Sequence, residues 1–339
     1  MPLWWLSRHL APRVSEADVV LLIRAADVAR ACSMPEAIDA VAEGFAALSD
    51  GRATVPVRAS VPLRDGAVAL AMPASLAGGP YYSVKVVTVA SGNVARGLPA
   101  VLASVALGDA ATGTLLALID GTSLTALRTG AGGGVAARAL ARKDASVLAL
   151  FGAGVQARTQ LLAAAAVRKL RDARVVGRDA GRVAQFVEWA RGEASLAGVA
   201  VGASDAGAAL AGADIVVTAT SSSTPVFDGR GLGQGVHVTA VGAFTPEMRE
   251  LDDATLRGAR IFVDERAAAL AEAGELRGLT SGDVVEIGEV LAGTAPGRRS
   301  QDERTLFKSV GNAIQDLVVA SRVYERAREL GLGEDVPFP

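Results

Sequence analysis

An α/β fold is predicted, in which a unit built on a parallel sheet is inserted into an α+β unit. Three observations predict it. Between Ser146 and Glu265, short and almost continuously apolar segments (SVLALFGAG, ARVVGRD, ADIVVTATSSS, VHVTAVGAF, ARIFVDE) are separated mostly by helical stretches. Buried parallel strands with crossover helices have this pattern. The first 130 residues differ, with short β-branched segments separated by Pro, Gly and Asp, as in an antiparallel or mixed sheet. The last stretch returns to a long helical pattern that can pack back onto the first unit. We therefore divide the chain into an α+β domain (18–130 plus 303–339), a nucleotide-binding domain (131–302) and an N-terminal extension (1–17).

Each element has a local reason. The extension carries Trp4 and Trp5, but arginines and a proline interrupt it, so it lacks the long apolar core of a signal peptide. Residues 35–49 form an amphipathic helix, with Ile38, Val41, Phe45, Ala46 and Leu48 on a 3.6-residue stripe. Ser33 is its N-cap, with Pro35 in the first turn and Glu36 three residues after the cap. TVPVRASVPL, AVALAMPA and YYSVKVVTVA are strands. VLASVALGDAATGTLLALID is two strands around a turn between Gly108 and Gly113. Leu124 to Arg142 is helical. Residues 303–330 read as one long helix, with Leu306, Val310, Ala313, Leu317 and Ala320 near one face.

Composition excludes several classes. Of 339 residues, half are hydrophobic and 21% charged, which suits a globular chain of two domains. A net charge of -2 offers no basic field for nucleic acid. No apolar run reaches the roughly 20 residues of a membrane span. Cys32 is alone, so no intramolecular disulfide forms, and a soluble, cytoplasmic protein is expected. No His, Asp or Glu cluster has metal-ligand spacing, so no metal is expected. His237 opens an apolar strand and reads as structural, as do Asp120, Asp264 and Glu275. His9 lies in the extension. Glu286 and Glu289 read as a solvated pair near a helix start.

The sharpest signal is VLALFGAGVQARTQLLAAAA. A strand runs into Gly152-Ala-Gly154-Val-Gln-Ala157 and then a helix, the Rossmann dinucleotide-binding pattern. Gly152 permits the tight turn, Gly154 lets backbone approach a pyrophosphate, and Ala157 allows helix and strand to pack closely. The helix start, with Val155 and Gln156, offers free N–H groups to phosphate. The second strand ends in Gly177-Arg178-Asp179, with Arg182 a turn later. Guanidinium groups suit a 2′-phosphate, which favours NADPH. NADH stays open, because Asp179 can hold the ribose instead of capping the next helix.

Eight segments, in order over about residues 20–325, resemble the ornithine cyclodeaminase/mu-crystallin family: VPVR, AMPA, YYSVKVV, DGTSLTALRTGAGGGVAARALAR, GAGVQA, TATSSSTPVF, VTAVGAFTPEMREL and TLFKSVGNAIQDLVVA. The resemblance implies a homodimer whose subunits pair through the N-terminal domain. It implies that Arg58, Lys85 and Arg128 hold a substrate carboxylate beside the nicotinamide, with Lys85 catalytic and Met72 next to the substrate. Thr218, Thr220, Ser221 and Val241 then flank the cofactor, together with Arg128. Ser309 closes on the cofactor, and Val310 and Gly311 on the substrate.

The sequence departs from the cyclodeaminase branch at two points. Phe244 stands where that branch carries a proton-handling Asp, and Leu70-Ala71 precede Met72-Pro73 where it carries an acid. The nearest remaining acid in the first segment is Glu247. What the resemblance then implies is NAD(P)H-dependent reduction of cyclic imines of 2-oxo acids, such as Δ1-pyrroline-2-carboxylate or Δ1-piperideine-2-carboxylate, to proline or pipecolate. The alternatives are another family activity (ornithine cyclodeaminase, alanine dehydrogenase, opine-type dehydrogenase) or a non-catalytic NADPH-dependent ligand binder.

Overall fold

The computed structural model describes residues 19–338 and contains two eight-stranded sheets. The N-terminal extension, with His9 and both tryptophans, lies outside the described residues. The first sheet takes β1 (Val19–Ile23), β2 (Ala53–Thr54), β3 (Ala59–Pro62), β4 (Val68–Leu76), β5 (Tyr81–Val89), β6 (Val101–Asp109), β7 (Leu115–Asp120) and, from the far end of the chain, β16 (Glu334–Pro337). It is mixed: β1 pairs parallel with β7, and the other pairings are antiparallel. Three of its helices are α1 (Ala25–Ala31), α2 (Met34–Ser49) and α10 (Ala313–Leu330). The helix α2 starts at Ser33, whose side chain and that of Glu36 cap each other's backbone N–H, as the spacing predicts.

The long helix α3 (Gly121–Leu140) leads into the second sheet, with Asp120 as its N-cap accepting the Ser123 N–H. That sheet holds β8 (Val147–Phe151), β9 (Asp172–Val176), β10 (Ala200–Ala203), β11 (Ile215–Thr218), β12 (His237–Ala240), β13 (Arg260–Val263), β14 (Val284–Glu286) and β15 (Thr305–Lys308). Its helices are α4 (Val155–Val167), α5 (Ala180–Gly192), α6 (Ala206–Leu210), α7 (Asp253–Arg257), α8 (Arg266–Glu272) and α9 (Ile287–Leu291). All its pairings are parallel, in the order β10-β9-β8-β11-β12-β15-β13-β14. The chain runs outward one way from β8 through β9 to β10, then returns to β11 on the other side. The switch therefore lies between β8 and β11, the place where open parallel sheets generally form a crevice outside the strand ends.

Two expectations are corrected. Residues 303–330 are not one helix. Thr305–Lys308 is a wholly buried strand seated between β12 and β13, and the helix begins only at Ala313. The second sheet thus extends past 302, and the chain leaves it after Lys308. A strand buried on both faces shows no alternation, and Leu306 and Val310 happen to sit at helical spacing. Nor are Glu286 and Glu289 merely solvated. Glu286 accepts from Ser49 Oγ (2.7 Å) on α2, and both carboxylates pair with Arg266 on α8, so they tie α2 to the second sheet.

Candidate active site

Two cations from separate elements converge on one buried helix turn, and a third meets the loop just before it. Lys85 lies mid-β5, on the face that carries its cross-strand neighbours Met72 and Val105. Its side chain is fully buried, with Nζ 2.6 Å from Asp316 Oδ2 in the first turn of α10. Arg128, on α3, places Nε 3.0 Å from the other oxygen, Oδ1, and donates through Nη1 to Gln315 Oε1 at 3.1 Å. Arg58 reaches in from the segment between β2 and β3. Its Nη2 pairs with Glu272 at the end of α8 and lies 3.3 Å from the Gly311 carbonyl. Gly311 has φ +83°, and a Cβ there would stand 2.7 Å from Arg128 Nη1, so glycine leaves the guanidinium its room.

An ammonium with no exposure pays heavily for desolvation, and one carboxylate shared with a guanidinium compensates it only in part. Burial, and next the Arg128 charge, push the Lys85 amine down from 10.5 to about 8, against the pull of Asp316. The cluster keeps positive charge available and places a proton-exchanging amine beside it. It can hold a carboxylate in a dry setting.

The second half of the site is the end of the parallel sheet. Gly152 has φ +120°, and a Cβ there would meet the Ala219 carbonyl at 2.4 Å, so only glycine fits between the ends of β8 and β11. Gly154 has open space around it and caps α4 without a side chain, leaving the first N–H groups of a 13-residue helix free. Val155 is 64% exposed there. Gln156 Oε1 is buried without a hydrogen-bond partner. An open, cationic helix end with glycine backbone at the switch point fits a dinucleotide pyrophosphate. Arg178 and Arg182 are exposed just past β9. Asp179 accepts the Arg182 N–H at 3.0 Å, so it caps α5.

Two carboxylates that sequence reasoning passed over or read as structural shape the remaining loops. Glu250 is fully buried and accepts from Thr218 Oγ1 (2.9 Å), Thr220 N (2.6 Å) and Oγ1 (2.8 Å), Gly242 N (2.7 Å) and Ala243 N (3.2 Å). It thereby locks the loops after β11 and β12. Ser221 is exposed beside Thr220, and Val241 is buried on the second loop. Asp264 does the same after β15, accepting from Ser309 Oγ (2.7 Å), Val310 N (3.1 Å) and Gly311 N (2.8 Å). Lys308, also fully buried, lies 3.0 Å from Glu275 Oε1 and donates to the Ala243 carbonyl at 2.5 Å. The halves are joined beside Arg128, where Gln160 of α4 donates to the Thr129 carbonyl at 2.9 Å.

Arg58, Lys85 and Arg128, expected to hold a carboxylate, are brought close together around Asp316, Gly311 and Glu272. Asp316 and Glu272 were missed. Asp316 carried a signal: it falls on the apolar stripe of α10, between Ala313 and Ala320, where a lone acid requires a buried partner. Glu247 is exposed, and Phe244 packs into the apolar cluster under β11 and β12. His237 is buried at the opposite end of its strand from the glycine loop, hydrogen-bonded to Thr305 Oγ1 (2.9 Å) and Thr239 Oγ1 (3.0 Å). Burial pushes it down to about 3, so it stays neutral and structural. Among the described residues no group of three His, Cys, Asp or Glu side chains could hold a metal, and no helix is long and apolar enough to cross a membrane.

The model of the ornithine cyclodeaminase/mu-crystallin family matches residues 18–331. A Δ1-pyrroline-2-carboxylate reductase of Bacillus cereus is 36% identical over 328 residues, 94% of this chain and all of that one. The structure of Thermococcus litoralis Δ1-pyrroline-2-carboxylate reductase in complex with NADH and L-proline superposes with a TM-score of 0.88 at 38% identity, over 94% of this chain and all of that one. An archaeal alanine dehydrogenase dimer with bound NAD has a TM-score of 0.88 at 35% identity, over 95% of this chain and all of that one.

Proposed function

Since the chain belongs to the ornithine cyclodeaminase/mu-crystallin family, we propose that it is a nicotinamide-dependent reductase of cyclic imines of 2-oxo acids, with Δ1-pyrroline-2-carboxylate as substrate and L-proline as product. The observation that carries this reading is the buried Lys85–Asp316–Arg128 cluster, with Arg58 alongside, at the C-terminal edge of a dinucleotide-binding sheet. A substrate with one carboxylate and an otherwise apolar ring fits it. Met72, cross-strand from Lys85, and Val310, next to Gly311, are apolar, and Phe244 supplies no acid, which speaks against loss of a side-chain amine.

The reduced nicotinamide, when bound, supplies hydride to the imine carbon. The protein does the rest. Arg128 and Arg58 grip the carboxylate, and Asp316 fixes both Arg128 and Lys85 so that the clamp loses little freedom on binding. With its amine lowered to about 8, Lys85 can give a proton to the ring nitrogen near neutral pH. The apolar walls exclude water and strengthen these charge interactions.

We place the cofactor preference with NADPH, because Asp179 is engaged as a cap and Arg178 and Arg182 stand free past β9. The related structures contain NADH and NAD. We also place the protein in the cytoplasm as a homodimer. Cys32 is buried, and burial pushes its thiol up to about 12, so it is inert as a small apolar residue of the core. The dimer reading rests on the outer face of the first sheet. Val61, Val86 and Leu102 are 57%, 47% and 41% exposed there, and Ala69, Ala71, Thr88 and Ser104 fill the register between them without a charge.

The test is isotopic. With cofactor labelled by deuterium at both C4 positions and Δ1-pyrroline-2-carboxylate, L-proline should form carrying one deuterium at Cα, without requiring ammonia. Turnover only with ammonia and an open-chain 2-oxo acid would replace this reading with an amino-acid dehydrogenase.

A further inference from the structure

We propose that Glu272 determines which substrates the clamp admits, accepting those that are uncharged beyond their one carboxylate and rejecting those with a second anionic group. The inference rests on Arg58, Lys85 and Arg128 being the carboxylate clamp. Glu272 ends α8, on the second sheet's side, and closes onto Arg58, which comes from the first. The two side chains are 25% and 17% exposed, so the pair lines the cleft between the sheets rather than lying on open surface.

The charges can be counted by contact. Lys85, Arg128 and Arg58 are three cations. Asp316 touches the first two and Glu272 the third. Asp264 lies close behind, but it is engaged with three neutral donors on the loop 309–311 and offers nothing to the clamp. The directly paired groups leave one positive charge, which one substrate carboxylate neutralises. The Arg58 guanidinium is also shared with the Gly311 carbonyl. A second substrate anion directed toward α8 would find no free cation there. It would meet the Glu272 carboxylate, with Asp264 and Glu265 behind. This crowding already registers on Glu272: burial raises its carboxyl above the usual range and Asp264 raises it further, against the lowering effect of Arg58. Like charges brought together in a partly desolvated cleft are a strong means of rejecting a ligand.

The test compares two planar inhibitors of the imine reaction, pyrrole-2-carboxylate and pyrrole-2,5-dicarboxylate, at one ionic strength. In the wild type the monocarboxylate should compete more strongly. In Glu272→Gln the ratio of the two inhibition constants should move about tenfold or more in favour of the dicarboxylate, while Glu272→Asp keeps the wild-type ratio. Glu272→Ala is a second neutral variant should the glutamine variant fold poorly. If both inhibitors change by the same factor, or the ratio does not move, Glu272 only holds Arg58 in place and the proposal falls. If neither compound competes with the imine in the wild type, the clamp assignment falls first and takes this one with it.

Discussion

At the scale of single residues, Lys85 bears the most consequence. Its folded value near 8 lies below the unfolded 10.5. Holding it charged therefore costs stability below about pH 8, and that cost is relieved as pH rises from about 8 to 10.5. The contribution of this group to stability should increase over that window, and the increase should be absent in Lys85→Met, as read from urea midpoints. Activity should run the opposite way. kcat/KM should fall as pH passes about 8, and Lys85→Arg, whose guanidinium keeps its proton, should hold the charge yet lose turnover with kcat falling more than KM rises. Lys85→Ala should lose at least about 100-fold in kcat/KM while still binding cofactor by fluorescence titration. Asp316→Asn removes the shared carboxylate from two buried cations, and a broken buried pair costs roughly 3–5 kcal/mol. A lowered melting temperature together with a raised KM is expected. The three cations were legible in the sequence through eight ordered segments. Their carboxylate partners were not, because Asp316 and Glu272 lie 231 and 214 residues along the chain from Lys85 and Arg58, and the place of Asp316 on the apolar stripe of α10 signals burial without naming a partner.

At the scale of elements, the strand–glycine–helix unit was fully legible, because its geometry is dictated within a dozen residues. Gly152→Ala sets a Cβ against the Ala219 carbonyl at a φ of +120°. It should weaken nucleotide binding by calorimetry and lower the melting temperature. β15 was misread because four buried residues between two other parallel strands carry no periodicity, and its neighbours β12 and β13 are distant in sequence. The loops at the sheet end owe their shape to single carboxylates. Glu250→Gln presents an amide N–H2 to a site surrounded by donors. Cofactor affinity should drop by about tenfold or more while the far side of the sheet stays protected in hydrogen exchange. At the end of β9, the double variant Arg178→Ala/Arg182→Ala should lower the NADPH-to-NADH ratio of kcat/KM; an unchanged ratio would remove these residues from cofactor choice.

At the scale of the molecule, two sheets share one cleft. The first contributes Lys85 directly, with Arg58 and Arg128 on its connections, and the second contributes the glycine loop and residues 309–311. Gln160 to Thr129 and Arg58 to Glu272 span the boundary between them. The two kinds of sheet were legible from the change in strand pattern, whereas the contacts between them were not, since they depend on how the sheets face each other. The uncharged outer face around Val86 should be covered by a second copy, so Val86→Asp should shift sedimentation from dimer to monomer. A wild-type monomer would contradict that reading. The most direct test of the central claim is the initial rate of NADPH oxidation by the purified protein with Δ1-pyrroline-2-carboxylate, against an NADH control. Rapid oxidation that depends on the imine and is lost in Lys85→Ala is the expected result. Bound nucleotide with no oxidation of either cofactor would contradict it.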